Sequence, residues 1–223
     1  MRCDVKIMAV PSRSHLVTQT LIKLGLSNQD VIYDTKGEKM PLKTMMKALE
    51  LPVQEGITHR CIIQDDVEVG DKFWDNINFL CENYPNSVFS LFMSDSLAKL
   101  YEKYNGIICK TGGAIWGQAV IIPLSLLNYM ETLYSHIQDY PHDDRFVQYC
   151  CAKKKIEVLT TVPCIVDHLC RQKYNSAMGH RFGMTEHYRY DRDADVRKFV
   201  FRNDLTMWKD RDKGIDYILK DII

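Results

Sequence analysis

Residues 60–67 read RCIIQDDV, an apolar run that leads directly into the carboxylates of Asp65 and Asp66. A short apolar run of this kind is typical of a strand that is buried on both faces. We expect this strand to span Arg60 to Gln64, with both acids just beyond its carboxyl end. Open α/β sheets bind their ligands at that end of their strands. The stretch therefore predicts a ligand site as well as a strand.

The first half of the chain alternates between strand and helix patterns on either side of this stretch. The helix pattern is clearest after Pro41, where Leu42, Met45, Met46 and Leu49 fall on one helical face. Alternation of this kind favours an α/β structure, with helices layered on a mostly parallel central sheet. The predicted elements are strands at 5–10, 31–33, 60–64 and 88–93, a helix that ends at Gly25, one that begins at Pro41 and one that begins near Asp71.

The second half of the chain is less regular. It predicts a short helix around 97–104, an apolar run at 115–122, helices from Pro123 to about 137 and from His142 onward, and a strand at 156–162. From about residue 171 the periodicity weakens, and residues 175–195 are expected to form a long loop or tail. We therefore expect one main domain over 1–170 and a loop-rich extension over 171–223.

The composition excludes several classes of protein. The chain has 223 residues and a formal net charge of +0, so it has no overall basic field for nonspecific nucleic-acid binding. No apolar run is long enough for a membrane span or a signal peptide, which predicts a cytoplasmic protein. The eight cysteines form no C-x-x-C pair. That spacing favours buried free thiols in a reducing compartment over a structural zinc site.

Three sets of polar residues could carry chemistry. Asp65 and Asp66 repel each other, and a divalent cation would relieve that repulsion; the alternative is that they cap a turn. His168 follows a strand and could add an imidazole ligand suited to Mn²⁺, although a histidine there could equally be a surface or hydrogen-bonded residue. Asp143 and Asp144 lie at the start of a helix, where one could act as the N-cap and the other as a general base.

The order of these features resembles the GT-A fold glycosyltransferases, especially compact bacterial and phage members. The resemblance covers about residues 5–168. It is carried by the Pro-Ser-Arg loop after the first strand, the strand that ends in Gln-Asp-Asp, and the Gly-Gly-Ala-Ile-Trp-Gly-Gln-Ala segment at 112–119. The Asp-Asp helix start and the late Pro-x-x-x-x-His at 163–168 complete it. Each motif is common by itself, and the ordered set is more specific.

The resemblance implies a catalytic domain over 1–170, with a nucleotide-sugar half (1–94) and an acceptor half (95–170), and an extension, 171–223, that packs on or covers the active site. It also implies a role for each matching residue. In place of an Asp-x-Asp motif this chain has Gln64-Asp65-Asp66, so Gln replaces the first acid and fewer carboxylates are present. Asp66 and His168 would hold a divalent metal, Mn²⁺ or Mg²⁺. The remaining roles are as follows: Gln64 and Asp65 near the donor, with Asp65 on a ribose or sugar hydroxyl; Pro11, Ser12 and Arg13 at the nucleotide; Asp34 near the base or ribose; Asp144 as catalytic base with Asp143 close behind; Gly112 and Gly113 beside the donor sugar; and Trp116 stacked on an acceptor, unless it packs in the core.

The activity implied is transfer of a sugar from a UDP- or GDP-sugar to an acceptor hydroxyl. Inversion at the anomeric carbon is expected, and retention stays open. The acceptor would be a glycan, a protein or a hydroxymethylated base in phage DNA, and a slight basic excess after residue 171 permits the last of these. One alternative is a nucleotidyltransferase acting on a sugar phosphate, although the loop after the first strand lacks the glycines usual in that class. Another is an inactive nucleotide- or sugar-binding module.

Overall fold

The structure is a computed structural model that describes residues 2–35, 40–93, 103–113, 115–169 and 190–206. Within these ranges the chain alternates between strands and helices, as the first half of the sequence predicts. The helices are α1 (Ser14–Leu24), α2 (Pro41–Leu49), α3 (Phe73–Asn83), α4 (Leu127–Tyr134) and α5 (Asp143–Lys154). The strands are β1 (Cys3–Ala9), β2 (Val31–Tyr33), β3 (His59–Gln64), β4 (Val67–Val69), β5 (Val88–Ser90), β6 (Ile107–Lys110), β7 (Ala119–Pro123), β8 (Val158–Val162), β9 (Val166–His168) and β10 (Val200–Thr206).

Eight of these strands form one central sheet in the order β10-β6-β8-β5-β7-β3-β1-β2. Strands β1, β2, β3, β5 and β8 run in one direction, while β7, β6 and β10 run in the other. The sheet is therefore mostly parallel, as predicted. The two remaining strands, β4 and β9, pair antiparallel in a small second sheet beside the end of β3.

Helices cover both faces of the central sheet. Apolar residues of α1 and α3, such as Leu21 and Ile77, pack into a core on one face. Those of α2, α4 and α5, such as Met45 and Phe146, pack into a second core on the other face. Burying each such side chain stabilises the fold by roughly 1.5–3 kcal/mol. The predicted three-layer α/β architecture is confirmed. We call the side of the sheet that α1 and α3 cover the α1 face, and the side that α2, α4 and α5 cover the α5 face.

The second half of the chain departs from the predicted elements in detail. Within the apolar run at 115–122 only the part from Ala119 onward is a strand. The helix predicted from Pro123 begins later, because Pro123 ends β7 and a 3₁₀ turn at Leu124–Leu126 precedes α4. The short helix predicted around 97–104 lies almost wholly outside the described residues.

Strand β10 was not predicted from the sequence, and it lies within the predicted extension. It pairs parallel with β6 at one edge of the central sheet, where Val200 opposes Ile107. An edge strand buries less of its surface, and Val200 is 61% exposed. Its sequence, VFRNDLT, therefore lacks the continuous apolar run of an interior strand. Residues 170–189 and 207–223 lie outside the described ranges, so the covering role of the extension stays a prediction.

Two further findings concern the cysteines and the helices of the described residues. The cysteines at described positions are buried thiols, as expected: Cys3, Cys61, Cys81, Cys109, Cys150, Cys151 and Cys164. In the portion of the chain that the structure describes, no helix combines the length and the apolar character that crossing a bilayer requires.

Candidate active site

The carboxyl ends of β1 and β3 bring Arg13, Asp65 and Asp66 together. The two strands are parallel neighbours, so the turn after β1 lies beside the acids that follow β3. The backbone N–H of Val10 donates a hydrogen bond to Oδ2 of Asp65 at 2.8 Å. The Arg13 guanidinium spans both acids, with Nη2 2.8 Å from Oδ1 of Asp65 and Nη1 2.5 Å from Oδ2 of Asp66. Since the side chains of Asp65 and Asp66 are only 1% and 2% exposed, this is a buried ion-pair cluster.

His168 completes the cluster from the second sheet. Strand β4 starts directly after Asp66 and pairs with β9, so that Val67 opposes His168. The backbone N–H of Leu169 donates to the carbonyl oxygen of Asp66 at 2.8 Å, which fixes the end of β9 against the acid. Nε2 of His168 lies 3.2 Å from Oδ2 of Asp66. Two residues about a hundred positions apart are thus in direct contact.

Burial dominates the electrostatics of this cluster. It raises the pKa of Asp65 to about 6, although the hydrogen bond from Val10 and the positive charge of Arg13 both act to lower it. The negative charge of Asp66 adds to the increase. Two carboxylates in a poorly solvated place are costly unless cations face them. The carboxylates of Asp65 and Asp66 are therefore stabilised by a cation that lies against them, as Arg13 does.

A divalent cation fits the donor chemistry of these residues in part. Carboxylate oxygen and imidazole nitrogen are suitable ligands for Mn²⁺, and Asp66 and His168 already touch. Among the residues that the structure describes, no group of three His, Cys, Asp or Glu side chains is arranged to hold a metal. Protein sites for Mg²⁺ commonly use one or two carboxylates and take further ligands from substrate phosphates. The cluster fits a site of that substrate-completed kind.

A second acidic cluster lies at the start of α5. His142 occupies the N-cap position of α5, and within the described structure its side chain makes no capping hydrogen bond. The expectation that one of the two acids is the N-cap is therefore wrong. Oδ1 of Asp143 accepts from the backbone N–H of Asp144 at 2.8 Å, and Oδ1 of Asp144 accepts from that of Arg145 at 2.7 Å. Both acids lie within the first turn, where the helix dipole favours negative charge.

The two acids of this cluster have different surroundings. Asp143 is 6% exposed and lies against Gly117, where a Cβ atom would stand 3.0 Å from both of its carboxylate oxygens. Burial raises the pKa of Asp143 to about 7, and the charge of Asp144 adds to that effect. Asp144 is more exposed, and its pKa is also raised, mainly by burial. Asp143 therefore faces the end of the sheet while Asp144 lies nearer the solvent.

The other predicted residues divide into those near the acids and those farther away. Pro11 and Ser12 form the exposed turn that ends in Arg13. Gln64 is the last residue of β3. The backbone N–H of Asp34 donates to the carbonyl oxygen of Ala9 at 2.9 Å, which holds Asp34 beside the end of β1. All of these residues lie at the carboxyl ends of β1, β2 and β3, on the side of the sheet where Asp65 and Asp66 also lie.

The segment after β6 contains the remaining predicted residues. Gly112 and Gly113 have φ values of 69° and 87°, a conformation that other residues rarely adopt, so both glycines are needed for the turn itself. Trp116 is partly buried against the core of the α1 face, and its backbone N–H donates to Oγ of Ser90 at 3.1 Å. Its position thus agrees with the core-packing alternative. None of the described contacts indicates a ligand-binding role for Gly112, Gly113 or Trp116.

Sequence reasoning gave no role to Gly117 and Gln118, which belong to the segment at 112–119 and lie between the two acidic clusters. The backbone N–H of Gln64 donates to the carbonyl oxygen of Gln118 at 2.9 Å, so Gln118 sits directly beside the end of β3. A signal was present, because Gln118 is a polar residue inside an otherwise apolar run. A single glutamine in such a run has no meaning until its neighbours in space are known.

Comparison with known proteins adds little to this geometry. No protein-family model matches the chain, and no curated protein matches it. Among solved structures, the chain is similar to a mutant of Drosophila β-1,4-galactosyltransferase 7 in complex with manganese, UDP-Gal and xylobiose. The similarity covers 94% of this chain and 96% of that chain, at 10% sequence identity and a TM-score of 0.40. A likeness this remote carries no argument about activity, so the function has to be inferred from the site itself.

Proposed function

We propose that this protein is a glycosyltransferase that moves a sugar from a UDP- or GDP-sugar to an acceptor hydroxyl with the help of a divalent metal. The observation that supports it best is the buried cluster of Arg13, Asp65, Asp66 and His168 at the carboxyl edge of the sheet. A second acidic pair lies close by on the α5 face. The first cluster suits a diphosphate with its cation, and the second suits a hydroxyl group that must lose a proton.

The nucleotide end of the donor would lie along the turn after β1. Pro11 and Ser12 are exposed there, and Asp34, which is held beside the end of β1, would contact a ribose hydroxyl. Asp66 and His168 would hold the metal, which supplies positive charge to the diphosphate leaving group. Arg13 would contribute a second positive charge to the same diphosphate, since its planar guanidinium suits phosphate oxygens.

The sugar would lie across the end of β3. Gln64 and Asp65 would contact its hydroxyls from one side, and Gly112 and Gly113 would let the backbone approach from another. Trp116 packs against the core with part of its surface only, and the rest of its ring would stack on the acceptor. The buried Asp143, which lies beside Gly117, would contact a sugar hydroxyl.

Asp144 would act as the general base. The acceptor oxygen forms a bond to the anomeric carbon while the bond from that carbon to the diphosphate oxygen breaks. The proton of the acceptor hydroxyl passes to a carboxylate oxygen of Asp144, and the nucleoside diphosphate leaves with the bonding electron pair. Its greater exposure favours Asp144 over Asp143 for meeting an incoming acceptor. Direct displacement of this kind inverts the anomeric centre.

The proposal is tested by measuring nucleoside diphosphate release from a panel of UDP- and GDP-sugars with MnCl₂ or EDTA. Acceptor candidates are added separately: oligosaccharides, a protein mixture and DNA containing hydroxymethylated bases. Wild-type protein should release UDP or GDP from at least one donor, faster with acceptor and only with metal. Asp66→Asn should abolish the metal-dependent release. Absence of nucleotide binding and of release across the whole panel would disprove the proposal.

A further inference from the structure

Two buried oxygens near the proposed sugar position lack hydrogen-bond partners in the described part of the chain. One is Oε1 of Gln118, whose residue is 9% exposed, and the other is Oδ2 of Asp143, whose residue is 6% exposed. Buried acceptors are nearly always satisfied by a donor. Neither oxygen belongs to the ion-pair cluster of Arg13, Asp65 and Asp66. They call for a partner that the described part of the protein does not supply.

The backbone brings Gln118 and Asp143 close together. Gln118 directly precedes β7, and its carbonyl oxygen accepts from the backbone N–H of Gln64 at the end of β3. Asp143 begins α5 and lies against Gly117, the residue directly before Gln118.

Gly117 makes this arrangement possible. A side-chain carbon at that position would stand 3.0 Å from each carboxylate oxygen of Asp143, closer than such contacts ordinarily allow. The missing side chain lets the acid reach the backbone immediately before Gln118. The glutamine in turn lies beside Gln64, at the end of the strand that delivers Asp65 and Asp66. Gln118 therefore adjoins the end of β3, where the sugar is proposed to lie.

The chemistry of the two oxygens restricts what can bind there. An acceptor buried without a partner is unfavourable, and a ligand that brings O–H donors relieves this. A phosphate group brings only acceptors and negative charge, and an apolar group brings neither donor nor acceptor. A sugar brings several O–H donors and is the kind of ligand that satisfies such oxygens.

We infer that Gln118, beside Asp143, recognises hydroxyl groups of the transferred sugar and so helps to select the donor. This inference rests on the proposed function, because it takes the ligand to be a sugar nucleotide. Gln118 is a specificity-determining residue here and takes no part in the bond-breaking step. The nucleoside diphosphate alone should bind without using it.

The test compares a sugar nucleotide with its nucleoside diphosphate by calorimetry. Wild-type protein and Gln118→Met are titrated in MnCl₂ with UDP, GDP, UDP-glucose, UDP-galactose, UDP-N-acetylglucosamine and GDP-mannose. Wild-type protein should bind at least one sugar nucleotide more tightly than the matching diphosphate. Gln118→Met should reduce that preference by about twofold to tenfold, the range expected for one neutral hydrogen bond, and leave UDP and GDP affinity unchanged.

Two further variants make the result decisive. Gln118→Glu retains an acceptor oxygen and should keep most of the preference, whereas Thr161→Val removes another buried unpartnered oxygen on a different strand and should change neither affinity. Because Oε1 of Gln118 has no partner to lose among the described residues, Gln118→Met should melt no lower than wild type. An unchanged sugar preference in Gln118→Met, or a clear drop in its melting temperature, overturns the inference. If wild-type protein binds none of the six nucleotides, the proposed function itself fails.

Discussion

Replacing Arg13 by glutamine should show how much stability Arg13 contributes by neutralising the buried carboxylates of Asp65 and Asp66. The guanidinium is the group that spans Asp65 and Asp66, at 2.8 and 2.5 Å. Glutamine keeps a polar side chain and removes the positive charge. We expect two consequences in the absence of substrate: the fold should lose stability, and a divalent cation should bind more tightly because it no longer competes with Arg13.

The size of the stability loss follows from the burial of the pair. Removing one partner of a fully buried ion pair costs about 3–5 kcal/mol. The side chain of Arg13 is 14% exposed, and His168 remains beside Asp66. We therefore expect a loss at or just below the lower end of that range, about 2–3 kcal/mol at neutral pH in EDTA.

The loss should depend on pH. The pKa of Asp65 in the folded protein is raised to about 6, above the value of about 3.9 for an unfolded chain. Its contribution to stability is therefore fully present below about pH 4 and is lost as the pH rises through about 6. Without Arg13, which acts to lower that pKa, the ionised acid becomes still less favourable. The difference between wild type and Arg13→Gln should be largest at pH 8 and smallest at pH 4.

The gain in metal affinity can be estimated in the same way. A unit charge and a divalent cation about 4 Å apart repel by roughly 8 kcal/mol at an effective dielectric constant near 20, twice the value for two unit charges. Movement of Arg13 in the wild type would relieve part of this repulsion. Recovering about 1.4 kcal/mol of it corresponds to about tenfold tighter Mn²⁺ binding in Arg13→Gln.

Denaturant unfolding at pH 4, 6 and 8, with EDTA or MnCl₂, measures the stability, and electron paramagnetic resonance of free Mn²⁺ measures the affinity. Arg197→Gln is a matched control, because Arg197 pairs with Asp195 at the surface and such pairs contribute little. If Arg13→Gln costs no more stability than Arg197→Gln and binds Mn²⁺ no more tightly than wild type, the reasoning is refuted.

Four further predictions concern the acids, His168 and the glycine beside Asp143. Asp66→Asn and His168→Ala should each lose metal-dependent UDP or GDP binding while staying folded, as calorimetry and circular dichroism would show; full turnover with chelator would exclude the metal assignment. Asp143→Asn should be more stable than wild type at pH 8 by a few kcal/mol and not at pH 4, because the pKa of Asp143 is raised to about 7 and the stability lost on its ionisation returns in the variant. Asp144→Asn should abolish transfer and preserve donor binding, and transfer by both Asn variants would exclude the base hypothesis. Gly117→Ala should cost about 1–3 kcal/mol of stability by forcing Asp143 aside, and an unchanged melting temperature would contradict the close approach of Asp143 to Gly117.

The local elements of the first half could be read from the sequence because their signals are local. Leu42, Met45, Met46 and Leu49 form one helical face whatever surrounds them, and they do pack together in the core of the α5 face. The apolar run before Asp65 is likewise a buried strand. Edge strand β10 shows the limit of this reasoning, since half-exposed residues give no continuous apolar run.

The sequence likewise predicted only part of the candidate site. The chain order predicted that Asp66 and His168 each follow a strand of one sheet, and from this their contact could be expected. The structure instead places His168 inside β9 of the second sheet, where it reaches Asp66 because β9 pairs with β4. The sequence could not show that Arg13 bridges the acids, that His142 takes the N-cap position, or that Asp143 points inward against Gly117. Those facts depend on which strands become neighbours and on which way each side chain faces. Both are decided by packing between segments far apart in the chain, which only the tertiary structure brings together.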